Sequence, residues 1–340
     1  MDRRKFLKLS ATGAATACTA ALLMNSGRLF TMTNGFENSS MTVLLDAKKA
    51  FSKCGACSHT LLYILNREFG YPQENEERAS GPLAGGLMNK QLQCGMLWGS
   101  TLAVGAESFR RHKNHDQAIA TAISATQHIV ESFSTRAKSV NCRDIIDCDI
   151  SNNFDIAKFM LKSLPGGFTN MVCMNLIEKW TPEAIQAAKE GLAGKQEDWL
   201  QLPKSCASEV AKKMGASDEE MVMTAGLAGG IGLSGNACGA LGAAIWISSL
   251  NWCRKHPGKS GYSNPNSKKI LKEFNDATGS EFLCSKISGQ CFKTIGDHTE
   301  FVKTGGCDKL INILANHNEG WIQAGQNITV LEPARNTISP

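Results

Sequence analysis

Leu83-Ala84-Gly85-Gly86 leading to Cys94-Gly95, and Leu227-Ala228-Gly229-Gly230 leading to Cys238-Gly239, are one phrase written twice in a single chain. Working outward, each copy is flanked by further cysteines in matched order. Cys57 precedes the first copy and Cys142 and Cys173 follow it; Cys206 precedes the second and Cys284 and Cys307 follow. The intervals between successive cysteines are 37, 48 and 31 residues in the first set and 32, 46 and 23 in the second. An order kept while the connections shorten is what a duplicated fold with trimmed loops gives. Ordinary core packing could use Ala or Val at these places, so eight thiols retained through a duplication indicate a maintained site.

The periodicity around the cysteines is helical. Residues 47–69 read as one helix ended by Gly70-Tyr71-Pro72, with Cys57, Leu61, Ile64 and Leu65 on one face. Leu97, Trp98, Thr101 and Leu102 continue a stripe from Cys94, as Leu241, Gly242, Ile245 and Trp246 do from Cys238. Cys173 is followed by Leu176, Ile177 and Trp180, and Cys307 by Leu310, Ile311 and Leu314. A long helix is expected over 116–137, and no alternating strand pattern occurs. The expected fold is therefore all-α, with two tandem homologous helical modules forming a pseudo-two-fold pair. The division expected is 1–30 signal peptide, 31–40 linker, 41–200 first cysteine module, 201–317 second cysteine module and 318–340 C-terminal tail.

Four thiolates meeting at one point suit a soft metal or an iron–sulfur cluster. A helix N-terminus favours the thiolate, because its free N–H groups and dipole stabilise negative charge. A Gly-rich segment lets backbone N–H groups approach anionic sulfur. The expectation is one iron–sulfur centre on Cys57, Cys94, Cys142 and Cys173 and another on Cys206, Cys238, Cys284 and Cys307, in a protein that carries electrons rather than one with a catalytic residue. Alternatives stay open: a thiol/disulfide oxidoreductase using Cys54 and Cys57, zinc, or a structural disulfide framework, since twelve cysteines remain once Cys18 is set aside with the signal. Cys148, Cys253 and Cys291 have no assigned role.

Asp2-Arg3-Arg4-Lys5-Phe6-Leu7-Lys8 before a mildly apolar, Ala- and Thr-rich stretch resembles a twin-arginine export signal. It implies a periplasmic or extracytoplasmic protein exported already folded. Arg3, Arg4, Lys5, Lys8 and Arg28 against Asp2 account for most of the formal +5 charge, so no electrostatic case exists for a nucleic-acid partner. No later stretch is long enough to span a membrane. The partner expected is a redox protein. Gly230-Ile231-Gly232-Leu233-Ser234-Gly235 matches the dinucleotide fingerprint in letters, but no strand precedes it and the next acidic residue, Glu273, is too distant.

The run Cys54-Gly55-Ala56-Cys57, the Gly-rich segment, Cys94-Gly95, Asn141-Cys142-Arg143 and Cys173 together resemble the redox-active proteins named for a C-GCAxxG-C-C pattern. The second half carries the later cysteines of that pattern. The resemblance implies a helical fold of the kind found in part of the split-Soret cytochromes, which hold an iron–sulfur centre beside c-type haems. Two departures limit it. Pro203 stands at about the place of Cys54 in the second unit, and no Cys-x-x-Cys-His occurs, so c-type haem is not expected.

Overall fold

The computed structural model describes residues 46–150, 155, 171–194 and 202–316. The export signal, the linker, the C-terminal tail and Cys18 lie outside the described residues. Within them the chain is helical, and the only strand-like pairings are two isolated bridges, Gln93 with Asn141 and Ala237 with Leu283. The all-α expectation holds.

The first unit runs through α1 (Ala47–Cys54), α2 (Cys57–Glu68), α3 (Glu74–Ala79), a 3-10 turn (Gly81–Leu83), α4 (Gly95–Arg111), α5 (His115–Ala137), α6 (Cys142–Ile146) and α7 (Val172–Ala193). The second has α8 (Cys206–Lys213), α9 (Asp218–Ala225), α10 (Gly239–Lys255), a 3-10 turn (Gly261–Ser263), α11 (Asn266–Thr278), α12 (Cys284–Ser288), α13 (Ile295–Lys303) and α14 (Asp308–Ala315). The starts are written in the sequence. The Asn114 side chain accepts from the N–H groups of Asp116 and Gln117 to cap α5, and Ser217 with Glu220 and Thr294 with Asp297 form reciprocal capping boxes on α9 and α13.

The single helix expected over 47–69 is two. Gly55 sits at φ 72° and closes α1 by donating to the Phe51 carbonyl, after which Ala56 is extended. Glycine takes that left-handed position without the Cβ penalty. The break is what sets Cys57 at the head of a new helix instead of in the middle of an old one.

The two units face each other about a pseudo-two-fold axis, which can be located from one contact. Trp98 and Gly242 are each the fourth residue of matched 17-residue helices, α4 and α10. They touch: a Cβ on Gly242 would collide with Trp98 Cζ3 and stand 2.7 Å from Cη2. Equivalent positions meet only at a symmetry axis. Two tryptophans would overlap there and two glycines would leave a void, so the pair suits one chain folded on itself better than two identical chains. Ion pairs repeat the same relation. Arg254 of α10 joins Glu220 of its own unit and Glu76 of the other at 2.6 and 3.0 Å, while Arg110 of α4 joins its own Glu107 and the other unit's Glu219 at 3.2 and 3.4 Å. Because Trp98 is fully buried and has no room to retreat, Gly242→Ala is expected to cost about 1–3 kcal/mol, read as a lower urea midpoint at unchanged slope.

Among the described residues no helix is long and apolar enough to cross a membrane.

Candidate functional site

All eight matched cysteines lie in the first turn of a helix. Cys57, Cys142, Cys206 and Cys284 are the first residues of α2, α6, α8 and α12; Cys94, Cys238 and Cys307 cap α4, α10 and α14; Cys173 is the second residue of α7. Two devices bring them together. The first is the short antiparallel bridge in each unit. Cys94 N donates to Val140 O and Cys142 N to Leu92 O, both at 2.7 Å; Cys238 N donates to Phe282 O at 2.8 Å and Cys284 N to Asn236 O at 2.5 Å. The second and third cysteines of each set are thereby fixed side by side.

The second device is a left-handed loop. Gly85, Gly86, Leu87, Met88 and Asn89 all have φ between 50° and 70°, and their counterparts Gly229, Gly230, Ile231, Gly232 and Leu233 lie between 59° and 87°. For residues other than Gly this region costs roughly 1–2 kcal/mol each, and strain of that kind collects at functional sites. Here it has a visible product. The turned-out N–H of Gly85 reaches the Cys57 sulfur, and that of Gly229 reaches Cys206. The stretch 230–235 that spells the dinucleotide fingerprint is part of this loop, and the residues before it belong to the same loop and to α9, not to a strand.

The four sulfurs of each unit respond to one another. Cys57 is drawn down to about 7, chiefly because the Cys94 thiol donates to it, against burial, with N–H groups of Gly85 and Ser58 helping. Cys94 is correspondingly pushed well up, by that bond, by burial, and by the charges of Cys57, Cys142 and Cys173. Burial and then the Cys57 charge raise Cys142 to about 12 and also raise Cys173. In the second unit the Cys307 thiol donates to Cys206, whose own value falls well below the usual thiol range. Cys307 rises through that bond, through burial, and through the charges of Cys206, Cys238 and Cys284. Burial followed by the Cys206 charge lifts Cys238 to about 12 and raises Cys284. Each set is thus a cluster of acids in which one site, Cys57 or Cys206, collects the negative charge. Among the described residues no three His, Cys, Asp or Glu side chains are close enough to enclose a single metal ion.

The room beside the sulfur is guarded by glycine. A Cβ on Gly95 would run into Cys57 Sγ and stand 2.9 Å from Ala84 Cα, and one on Gly239 would run into the Leu227 carbonyl. Each site is roofed by the opposite unit. Tyr262, at the surface of the second unit, lies close enough to Cys57 and Cys142 for their charge, after burial, to raise its hydroxyl. Ile119 and Ile123 of α5 pack in one apolar cluster with Cys284, Leu233 and Phe292. Gln93, next to Cys94, links the two sites: its Nε2 donates to Gly230 O at 3.2 Å and Ser234 Oγ at 3.1 Å.

The other cysteines stand apart from these sets in different ways. Cys148 is near Cys142 and Cys291 near Cys284, so they occupy related places; Cys148 is buried and Cys291 exposed. Cys253 is buried and donates to the Lys259 carbonyl. Cys54 is the last residue of α1, and burial followed by the charge of Glu77 pushes its thiol up to about 12. Sequence reasoning missed three contributors: Gln93, Tyr262 and His298, which hydrogen-bonds Cys206.

The model of the C_GCAxxG_C_C family, described as "Putative redox-active protein", matches residues 56–184 and again residues 204–319. The chain therefore contains the module twice. No curated protein and no solved structure matches it.

Proposed function

Because the chain belongs to the C_GCAxxG_C_C family of redox-active proteins, we propose that it is an exported electron-transfer protein with an iron–sulfur centre on each quartet. Cys57, Cys94, Cys142 and Cys173 would hold one centre; Cys206, Cys238, Cys284 and Cys307 the other. The observation that carries this reading is a set of four helix-first-turn thiols, repeated once, in which three respond to the charge of the fourth. A cluster bound there would supply reversible one-electron transfer. The chain's part is to offer first-turn N–H groups to sulfur, to aim Gly85 and Gly229 at Cys57 and Cys206, and to exclude water from the second site with Ile119, Ile123 and Phe292. The electron donor and acceptor are proposed to be redox proteins outside the cytoplasm, with the twin-arginine stretch as the route of export. No c-type haem is proposed, for want of its attachment motif.

Protein purified without oxygen should contain iron and acid-labile sulfide in comparable amounts, with visible absorption that bleaches on adding dithionite. A colourless protein without either would overturn the reading. In Cys54→Ser, iron, sulfide and spectrum are expected to stay unchanged, since the second unit has Pro203 at the comparable place and no cysteine.

A second reading, a thiol/disulfide oxidoreductase, gains one observation but at a different place from Cys54 and Cys57. The Cys206 thiol is drawn well below the usual thiol range, chiefly by the Cys307 thiol and, after it, by His298. As a dithiol, Cys206 would attack a substrate disulfide and Cys307 would release it, leaving a Cys206–Cys307 disulfide and the substrate's two thiols. Cys206 is only 4% exposed, which shuts out a bulky disulfide and places this reading second. Iron-free protein that reduces a small disulfide, with loss of that activity in Cys307→Ser, would reverse the order.

A further inference from the structure

The two sites are not equally open. Residues 112–114 are all that joins α4 to α5, whereas residues 256–265 join α10 to α11, and this longer link lies on the other unit. Gly261 is pressed against the end of α3: a Cβ there would stand 3.0 Å from the carbonyl oxygens of Arg78 and Ala79. Gly81 meets the same link, the place of its own Cβ being 3.0 Å from Ser260 Oγ and 3.2 Å from Tyr262 Cδ2. The 3-10 turn that begins at Gly81 ends on Ala84, whose N–H donates to the Gly81 carbonyl at 3.0 Å. Ala84 and Cys57 Sγ both border Gly95. Tyr262 thus leans on the turn that runs into the first site, and it is 44% exposed. The cover of the second site, Ile119 and Ile123, is buried.

The link and the start of α11 are also basic. No Asp or Glu occurs between Glu220 and Glu273, while Arg254, Lys255, Lys259, Lys268, Lys269 and Lys272 all fall in that interval. Arg254 is taken up by Glu76 and Glu220, and Lys272 by Asp276. Lys259, Lys268 and Lys269 are exposed, and among the described residues no carboxylate pairs with them. Lys268 and Lys269 are the third and fourth residues of α11. The helix dipole repels positive charge there, so helix stability does not account for them. The link is firmly built. Asn264, 2% exposed, donates to Ser248 Oγ at 3.0 Å and accepts from Asn266 N at 3.1 Å. Lys259 N donates to the His256 carbonyl at 3.1 Å, and its own carbonyl accepts from Cys253 Sγ at 3.7 Å.

We propose that this face, made by Tyr262 and Lys259 of the link and by Lys268 and Lys269 just after it, is where an acidic one-electron carrier protein docks, and that electrons pass between that carrier and the first centre. This rests on the reading that the quartets hold iron–sulfur centres. Like charges fixed on one face steer an oppositely charged partner and set its orientation. A partly exposed aromatic ring is the contact that such interfaces favour at their middle. A carrier seated there meets the first site across Tyr262, while the buried cover of the second site offers no such approach. In the transfer one electron leaves the carrier, which is oxidised, and enters the first centre, which is reduced; no bond is made or broken, and the reverse holds when this protein is the donor. An anionic membrane would match the charge but has no use for a ring placed over a redox site, so a protein is the occupant that the placement favours.

The test uses protein purified without oxygen, with iron and sulfide measured on every sample, and a plant-type ferredoxin, an acidic carrier, as the probe. Electron exchange is followed by stopped flow in the thermodynamically favoured direction. The wild-type second-order rate is expected to fall about tenfold between about 20 mM and about 500 mM salt. Lys259→Glu/Lys268→Glu/Lys269→Glu should lower the low-salt rate about tenfold with iron unchanged, and should raise the rate with a basic c-type cytochrome. Lys293→Glu/Lys303→Glu/Lys309→Glu makes the same charge change at exposed residues around the second site and should lower the ferredoxin rate much less. In Cys57→Ala the iron that remains should exchange with ferredoxin much more slowly than in wild type. If the first triple variant loses iron, the salt dependence and Cys57→Ala decide. A wild-type rate indifferent to salt, equal losses in the two triple variants, or undiminished exchange in Cys57→Ala overturns the inference and leaves the iron–sulfur reading standing. So does binding to phosphatidylglycerol vesicles that the first triple variant abolishes while its ferredoxin rate stays at the wild-type value. A wild-type protein that contains no iron overturns both.

Discussion

Cys57→Ala is expected to remove about half of the iron and half of the sulfide from the anaerobically purified protein, leaving the other half with an unaltered spectrum. Cys57 is the site to change because it collects the negative charge of its set: Cys94 donates to it, and Cys142 and Cys173 are both raised by it. Without it only three of the four ligands remain, and burial, the chief cause of the raised values of Cys142 and Cys173, still disfavours their thiolates. The loss should stop at the first unit, since the cysteines of the second respond chiefly to burial and to Cys206, Cys238 and Cys284. The helix itself should persist, because alanine is a good helix former and α2 is anchored further on by fully buried Leu61, Leu62 and Leu65. Iron lost from both units would mean one shared centre; iron wholly retained would mean that Cys57 is not a ligand.

The second large effect is expected from Gly230→Ala. Gly230 has φ 87°, and a Cβ there would stand 2.7 Å from Asn236 N and 2.8 Å from its O. That carbonyl accepts the N–H of Cys284, so the loop cannot give way without moving the bridge that holds Cys238 and Cys284 together. The left-handed penalty of about 1–2 kcal/mol and an overpacking cost of about 1–3 kcal/mol are together a large part of a typical domain's stability of about 5–15 kcal/mol. A lower thermal midpoint is expected, together with loss of iron from the second centre alone. Gly279→Ala is the control: it has φ 63° with nothing within 4 Å, so it carries the backbone penalty without the collision. Equal effects of the two substitutions on iron would show that the loop does not position the second site.

The order of the cysteines was legible because a duplication repeats it, and repetition is visible without a structure. The helical class was equally open, since stripes such as Cys94, Leu97, Trp98 and Thr101 keep the helical period. The helix break at Gly55 was not, because apolar spacing runs on through it and only the backbone shows the left-handed turn. The same holds for the loops before Cys94 and Cys238. Their glycines pointed to close backbone approach, but Leu87, Met88, Ile231 and Leu233 are residues that ordinarily avoid positive φ. Tyr262 and Gln93 act across the interface between units, which no local pattern reports.

Duplication followed by divergence gives these differences a common logic. Two identical chains must present the same residue on both sides of a symmetry axis; one chain is free to set Trp98 against Gly242. The asymmetry that packs the interface is therefore available to the sites as well.

Anomalous diffraction at the iron edge, on crystals grown without oxygen, addresses the central claim most directly. Two separate iron peaks are expected, one among the sulfurs of Cys57, Cys94, Cys142 and Cys173, the other among those of Cys206, Cys238, Cys284 and Cys307. Iron-free quartets in crystals of protein that was never exposed to air, or cysteines of one quartet joined as disulfides there, would contradict it.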